Sequence, residues 1–443
     1  MRSSKNNSPN YQIISIALLA LATLMPASSL RAQASSEDAV ASSLTYTNPR
    51  PVSIGDPDVL HVPGRYYIYG TGGGTFTSTN LVDWDSVGNT QPVRETNYWF
   101  NGAFWAPEVY QVKDKYYMFF SAQWTNNPTH KQENFRVGVA VSDSPAGPFK
   151  CMMNGPIFDP GYPAIDADVL FDTDGRVYLY YSRCCYKNSV ESELLDWAKA
   201  KGWYTNIEES WVYGVELKPD FSGTIGAPVM LLRPPEKLSD PASAWENLAV
   251  TSHTVNRRWT EGPSSFKHGN TYYIMYAANS VAAGGDYATG YATSGKPLGP
   301  FKKAANNPII FRNTASGGNV TTTAHTCWTM SPDGTEMFVL YGGVIARPNG
   351  GGFGGPRGAG INGGGTNTIS PPGFTSALGT NTPSGTNVAG GRGRGGRGGG
   401  FGGGGGRRLF VDRMEILPDG TLIAHSPTVT PQPYPSADKL PGK

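Results

Sequence analysis

The chain has 443 residues, 12% of them aromatic and only 16% charged, with a formal net charge of +2. That length supports one large domain with a substantial core. A charge so near balance gives no reason to invoke nucleic acid or an acidic partner.

At the N-terminus, Arg2 and Lys5 precede an apolar run over 13–25, and Ala32-Gln33-Ala34 offers a small-residue cleavage site. Residues 1–34 therefore read as a signal peptide, which predicts a secreted or periplasmic protein. The run is too short to span a bilayer, and no cysteine follows it to carry a lipid. No membrane partner is expected.

Five copies of one β unit then recur, each a short strand headed by a polar residue and followed by an aromatic strand. Asp56-Pro-Asp-Val-Leu60 leads to Arg65-Tyr-Tyr-Ile-Tyr69, and Glu108-Val-Tyr110 to Lys115-Tyr-Tyr-Met-Phe119. Asp166-Ala-Asp-Val-Leu-Phe171 leads to Val177-Tyr-Leu-Tyr-Tyr181, and the 261–266 stretch headed by Glu261 to Tyr272-Tyr-Ile-Met-Tyr276. His325-Thr-Cys-Trp328 leads to Met337-Phe-Val-Leu-Tyr341. A second repeat runs alongside, with Ser144-Pro-Ala-Gly-Pro-Phe149 answered by Lys296-Pro-Leu-Gly-Pro-Phe301. Five all-β repeats at blade-sized intervals are the pattern of radial repetition. The expected fold is all-β, a five-bladed β-propeller over 35–430 with a tail at 431–443. In a propeller the first strand of each blade lines the central channel. Asp56, Glu108, Asp166, Glu261 and His325 should then converge on one axis.

Between these units, Asp174-Gly175, Asp333-Gly334 and Asp419-Gly420 predict hairpin turns of type I′. Asp172-Thr-Asp-Gly175 lacks the closing glutamate of a calcium loop and is read as a turn. Two insertions interrupt the repeats. The 183–211 stretch predicts a short helix over about 189–201, capped by Ser189 and stopped by Gly202. The 347–406 stretch is dominated by glycine and should be flexible. Within it, 392–399 alternates arginine and glycine like an RNA-binding segment; export and the neutral charge favour a solvated loop instead. Both insertions should rim the face that carries the leading carboxylates. Cys151, Cys184, Cys185 and Cys327 are expected as buried thiols or with one disulfide.

Hydrolysis of a glycosidic bond needs two carboxyl groups in opposite states, a carboxylate base and a protonated acid of raised pKa. A third carboxylate near the acid raises its pKa by like-charge repulsion. Three carboxylates converging on an open axis fit that need. Gly55-Asp56-Pro57, Ile165-Asp166-Ala-Asp-Val-Leu-Phe-Asp172, Glu261-Gly262-Pro263, His325 and Gly406-Arg407-Arg-Leu-Phe-Val-Asp412 together resemble glycoside hydrolase family 43, over about 48–427 outside the insertions. The resemblance implies a five-bladed propeller and an inverting hydrolase of arabinose- or xylose-containing plant polysaccharide, working as a monomer. It makes Asp56 the general base, Glu261 the general acid and Asp166 the residue that orients the acid. It makes His325 the channel histidine, facing a calcium ion or water, with a core histidine as the other reading. No cofactor is required for the chemistry. Arg407 would contact the sugar, with Arg408 competing for the role; Glu108 would line the pocket; Trp105 is either a stacking ring or a core residue.

Two departures stand out: Thr322-Thr-Ala324 before His325, where the family is glycine-rich, and the glycine-rich insertion before Arg407. Other readings are a non-catalytic sugar-binding propeller and a retaining hydrolase of the fructan-cleaving type. The latter carries Asn-Asp-Pro-Asn where this chain has Gly55-Asp56-Pro57-Asp58.

Overall fold

The computed structural model describes residues 44–93, 99–125, 134–247, 255–279, 286–346 and 406–437. The signal-peptide and glycine-rich stretches lie outside them.

Each repeat unit becomes the start of one antiparallel sheet. Sheet 1 runs Asp58–Val62, Arg65–Tyr69, Gly74–Ser78, Asp85–Asn89, in chain order. Sheet 2 runs Phe100–Val112, Lys115–Trp124, Phe135–Ser142, Lys150–Cys151. Sheet 3 is Ala164–Phe171, Val177–Arg183, Trp211–Leu217, Thr224–Leu232, and sheet 4 is Thr260–His268, Thr271–Ala278, Ala288–Ser294, Lys302–Lys303. Sheet 5 is Thr326–Met330, Met337–Ile345, Arg408–Ile416, Leu422–Ala424, with Val320–Thr322 also on Met337–Ile345.

The middle strands are apolar on both faces because each sheet packs against two others. Met118 and Phe120 of sheet 2 meet Leu60 and Tyr69 of sheet 1, while Phe119 and Val137 meet Leu179 and Val215 of sheet 3. Tyr178 and Tyr180 of sheet 3 meet Ile274 and Tyr276 of sheet 4. Tyr273 and Met275 of sheet 4 meet Val339 and Tyr341 of sheet 5, and Phe338 and Leu340 return to Tyr66 and Ile68 of sheet 1. Five cores thus join five sheets in a closed cycle. The first strands also touch their neighbours all the way round, sheet 5 to sheet 1 included. Thr45–Tyr46 pairs with Gln432–Pro433, which carries the fold into the stretch expected as a tail.

Two local expectations are corrected. The helix is Glu193–Ala200, and its cap is Ser192, not Ser189: the Ser192 side chain accepts from the Leu195 N–H at 3.2 Å. Ser189 instead begins a short strand, Ser189–Val190. At the Asp-Gly turns only the glycines have positive φ, 86° at Gly175, 72° at Gly334 and 86° at Gly420. A type I′ turn needs both central residues there, so these are turns closed by a left-handed glycine. Of the two cysteine readings, free thiols is the one found: Cys184, Cys185 and Cys327 are buried and Cys151 half-buried.

Candidate active site

In each of the five sheets the first strand carries or follows one residue in the left-handed region. Its φ is 50° at Asp56, 40° at Ala106, 55° at Asp166, 55° at Gly262 and 56° at His325. A non-glycine residue there costs about 1–2 kcal/mol, and four of the five are not glycine. The ladders slip at the same place, between Trp105 and Glu108, Ile165 and Asp168, and Glu261 and Ser264. Such a bulge breaks the strict alternation of the strand and re-aims one side chain. At Asp166 the slip brings the carboxyl toward Asp56 and His325, which stand just ahead of the unslipped strands Asp58–Val62 and Thr326–Met330.

Asp56 is held from three sides. Arg407 Nη1 donates to Oδ1 at 2.8 Å, the Thr71 hydroxyl donates to Oδ2, and His325 Nδ1 lies 3.4 Å from Oδ1. Burial pushes the Asp56 carboxyl up. The Arg407 charge, His325 and the two hydrogen bonds together outweigh it and hold the group well below the usual carboxylate range. Gly55 makes room for this: a Cβ there would stand 2.4 Å from Arg407 Nη2. Arg408 lies in the outer part of sheet 5 with an exposed side chain, so Arg407 is the cation of this site.

Glu261 and Asp166 form the other side. Glu261 is 8% exposed, and its Oε1 accepts from the Tyr287 hydroxyl at 2.9 Å. Burial, and next the negative charge of Asp166, push the Glu261 carboxyl well above its ordinary value. Asp166 Oδ2 accepts from the Ser182 hydroxyl at 3.1 Å, and that hydroxyl accepts from the Gly262 N–H at 2.9 Å. The Asp166 N–H is itself fixed on Ser121 Oγ at 2.8 Å. Burial raises Asp166 as well, but His325, Ser182 and Gly262 favour its charged form. Both carboxyls are thus raised, and of the two Asp166 is the one that His325 opposes.

Glu108 is not part of this group. It belongs two residues further along its strand, with Asp58 and Asp168. The Val109 N–H donates to Asp58 Oδ2 at 2.9 Å, and the Ser265 N–H to Asp168 Oδ1 at 3.2 Å. The Tyr110 hydroxyl donates to Glu108 Oε2, with Asp168 Oδ1 at 3.4 Å. Trp105, half-buried, stacks one face on Phe135 at 3.9 Å between centroids.

Calcium takes 6–8 oxygen ligands. The carboxylates facing His325 are Asp56, with both oxygens already engaged, and Asp166, whose Oδ2 is taken by Ser182. Among the described residues no three of His, Cys, Asp and Glu gather to hold a metal. The groups around His325 do not fit a direct calcium cage, and no step below runs through one.

Residues 46–355 match the family described as Glycosyl hydrolases family 43. The chain belongs to that family. It is 30% identical to a thermostable family-43 glycoside hydrolase of known crystal structure, with a TM-score of 0.63, covering 89% of this chain and 100% of that one. It is 26% identical over 290 residues to extracellular endo-alpha-(1->5)-L-arabinanase 2 of Bacillus subtilis (strain 168), covering 58% of this chain and 52% of the relative. The chain thus spans about half the length of that arabinanase. It is also 25% identical over 311 residues to a beta-D-galactofuranosidase of Aspergillus niger, covering 65% of this chain and 72% of the relative. Within this family-43 chain, Thr71, Ser182 and Tyr287 carry no motif of their own. The one usable signal was Thr71, which closes the strand Arg65–Tyr69 opposite Asp56.

Proposed function

We propose that the chain is an exported, inverting glycoside hydrolase acting on arabinofuranosyl or xylosyl linkages of plant polysaccharide, and that its five sheets are the blades of a propeller. The cycle of five cores and the unbroken ring of first strands support the propeller. The opposite protonation of Asp56 and Glu261 carries the functional reading. One buried carboxyl is held ionised by a guanidinium, and the other is held protonated by burial and a neighbouring carboxylate.

Asp56 is placed to take a proton from water as its oxygen attacks the anomeric carbon. The bond to the leaving oxygen breaks, and that oxygen takes the proton of Glu261. Asp166 keeps the acid's pKa high and, through Ser182, fixes the backbone at Gly262 behind it. The sheets bearing Asp56 and Glu261 are not neighbours in the ring, which suits the wider carboxyl gap of about 6.5–9.5 Å that an inverting enzyme needs for its water. The relatives named for arabinan support the substrate class, and the galactofuranosidase marks a second furanoside to include in any panel. Export rests on the N-terminal stretch and on the extracellular arabinanase relative.

The test is NMR of the first-formed sugar from linear arabinan, arabinoxylan and aryl pentosides. Inversion at the anomeric carbon is expected. A retained anomer would remove Asp56 from the role of base, and binding without sugar release would favour the non-catalytic propeller.

A further inference from the structure

We infer that Tyr287 is the positioning residue of the acid: its hydroxyl fixes Glu261 through Oε1 and thereby assigns the transferable proton to Oε2. The inference rests on the reading of Glu261 as the general acid.

Tyr287 is 2% exposed and heads Ala288–Ser294, the third strand of sheet 4. Its carbonyl accepts from the Thr323 N–H at 3.1 Å, two residues before His325. Its ring packs with Ala277, Ala324 and Trp259. Ala277 faces Glu261 in the ladder, so the ring and the carboxyl are set by one stretch of sheet. Backbone and ring are therefore pinned before the hydroxyl is considered. Phenylalanine would fill that space equally well, and a buried phenol needs a partner. Its partner among the described residues is Glu261 Oε1 at 2.9 Å. With no second acceptor for the phenol there, the phenol donates and the carboxyl accepts. Oε1 is then occupied from outside, and the proton sits on Oε2.

The donation also has an electrostatic sign. A hydrogen bond to the charged form favours that form. Burial and Asp166 push Glu261 up, whereas Tyr287 pulls it down. It keeps the acid from holding its proton too tightly and stabilises the carboxylate left after transfer. Asp166 and Tyr287 thus tune one group in opposite directions.

The experiment compares pH profiles of kcat/KM on the fastest-cleaved arabino- or xylo-oligosaccharide and on the matching nitrophenyl pentoside. Tyr287→Phe should move the basic limb up by about one pH unit and slow the oligosaccharide roughly tenfold. The nitrophenyl substrate, whose leaving group needs little protonation, should be largely spared. Replacing Tyr287 by 3-fluorotyrosine, a stronger donor of nearly the same shape, should move the limb down, and it decides the matter if Tyr287→Phe does not melt cooperatively. A limb unmoved by the fluorinated ring, or equal loss on both substrates in a folded Tyr287→Phe, overturns the inference. Glu261→Gln separates the two levels: if it too loses both substrates equally, the acid assignment itself is wrong; if it spares the nitrophenyl pentoside while Tyr287→Phe shifts nothing, only Tyr287 is.

Discussion

The first strands of sheets 1 to 4 carry two groups of three carboxyls, one at the heads of the strands and one further in. Asp56, Asp166 and Glu261 form the first; Asp58, Asp168 and Glu108 form the second. Both are buried, and burial raises any carboxyl. In the inner group nothing splits that effect. Burial pushes Asp58 up to about 7 and Asp168 up to about 6, and Glu108 well above its ordinary value. Backbone N–H groups and Tyr110 soften the rise, and no cation among the described residues opposes it. In the outer group Arg407 sits on one member only. That guanidinium, helped by His325 and Thr71, drives Asp56 down while Glu261 goes up. Three clustered acids are therefore not enough for acid–base chemistry; an asymmetric charge partner is needed, and only the outer group has one.

The comparison breaks most easily at the outer group. Asp56→Asn removes the carboxyl that Arg407 holds ionised and should cost 10²–10⁴-fold on every substrate, roughly the whole value of a general base. Glu261→Gln should lose about as much on oligosaccharides while sparing part of the activity on nitrophenyl glycosides. Steady-state rates on the two substrate types check both.

Arg407→Met tests the splitting itself. Arg407 depresses the Asp56 pKa, so its removal raises it, and the acidic limb of the kcat/KM profile should move up in pH. A loss of about 10–100-fold is expected below neutrality, shrinking as the pH rises. Gly55→Ala is a gentler version, since the new Cβ would collide with Arg407 Nη2. About tenfold loss with the same direction of limb shift is expected.

The inner group should respond in stability, not in rate. Folded-state pKa values of about 7 and 6 lie above the unfolded value of 3.8, so the folded state binds more protons between them. Their contribution to stability is then fully present below about pH 4 and is lost as the pH rises through about 6 and 7. Asp58→Asn and Asp168→Asn should each flatten the decline of Tm over that window by a few degrees, with kcat/KM changed about twofold or less. An inner variant that lost activity like Asp56→Asn would erase the distinction between the groups.

Much of this was legible in the chain. Alternating aromatic strands and glycine turns are local patterns, so the five units and their order could be counted. Asp56, Asp166 and His325 could be placed because they head those units. Glu108 could not: its strand has Ala106 at the head position, and a bulge between Trp105 and Glu108 resets which residue faces the centre. Glu261 likewise stands one residue before Gly262, the residue with positive φ, so it reaches the site from a different position than the two aspartates.

By itself the sequence determined the strand units, the family and the identity of the three outer carboxyls, because these depend on residue types at short spacing. Which carboxyl is ionised and which is protonated was decided only by the folded chain. Arg407 is 351 positions from Asp56, Ser182 is 80 from Gly262, and Tyr287 is 26 from Glu261. Protonation follows from burial and from charges within a few ångströms, and no local pattern records which distant residues the closed ring of sheets brings that near.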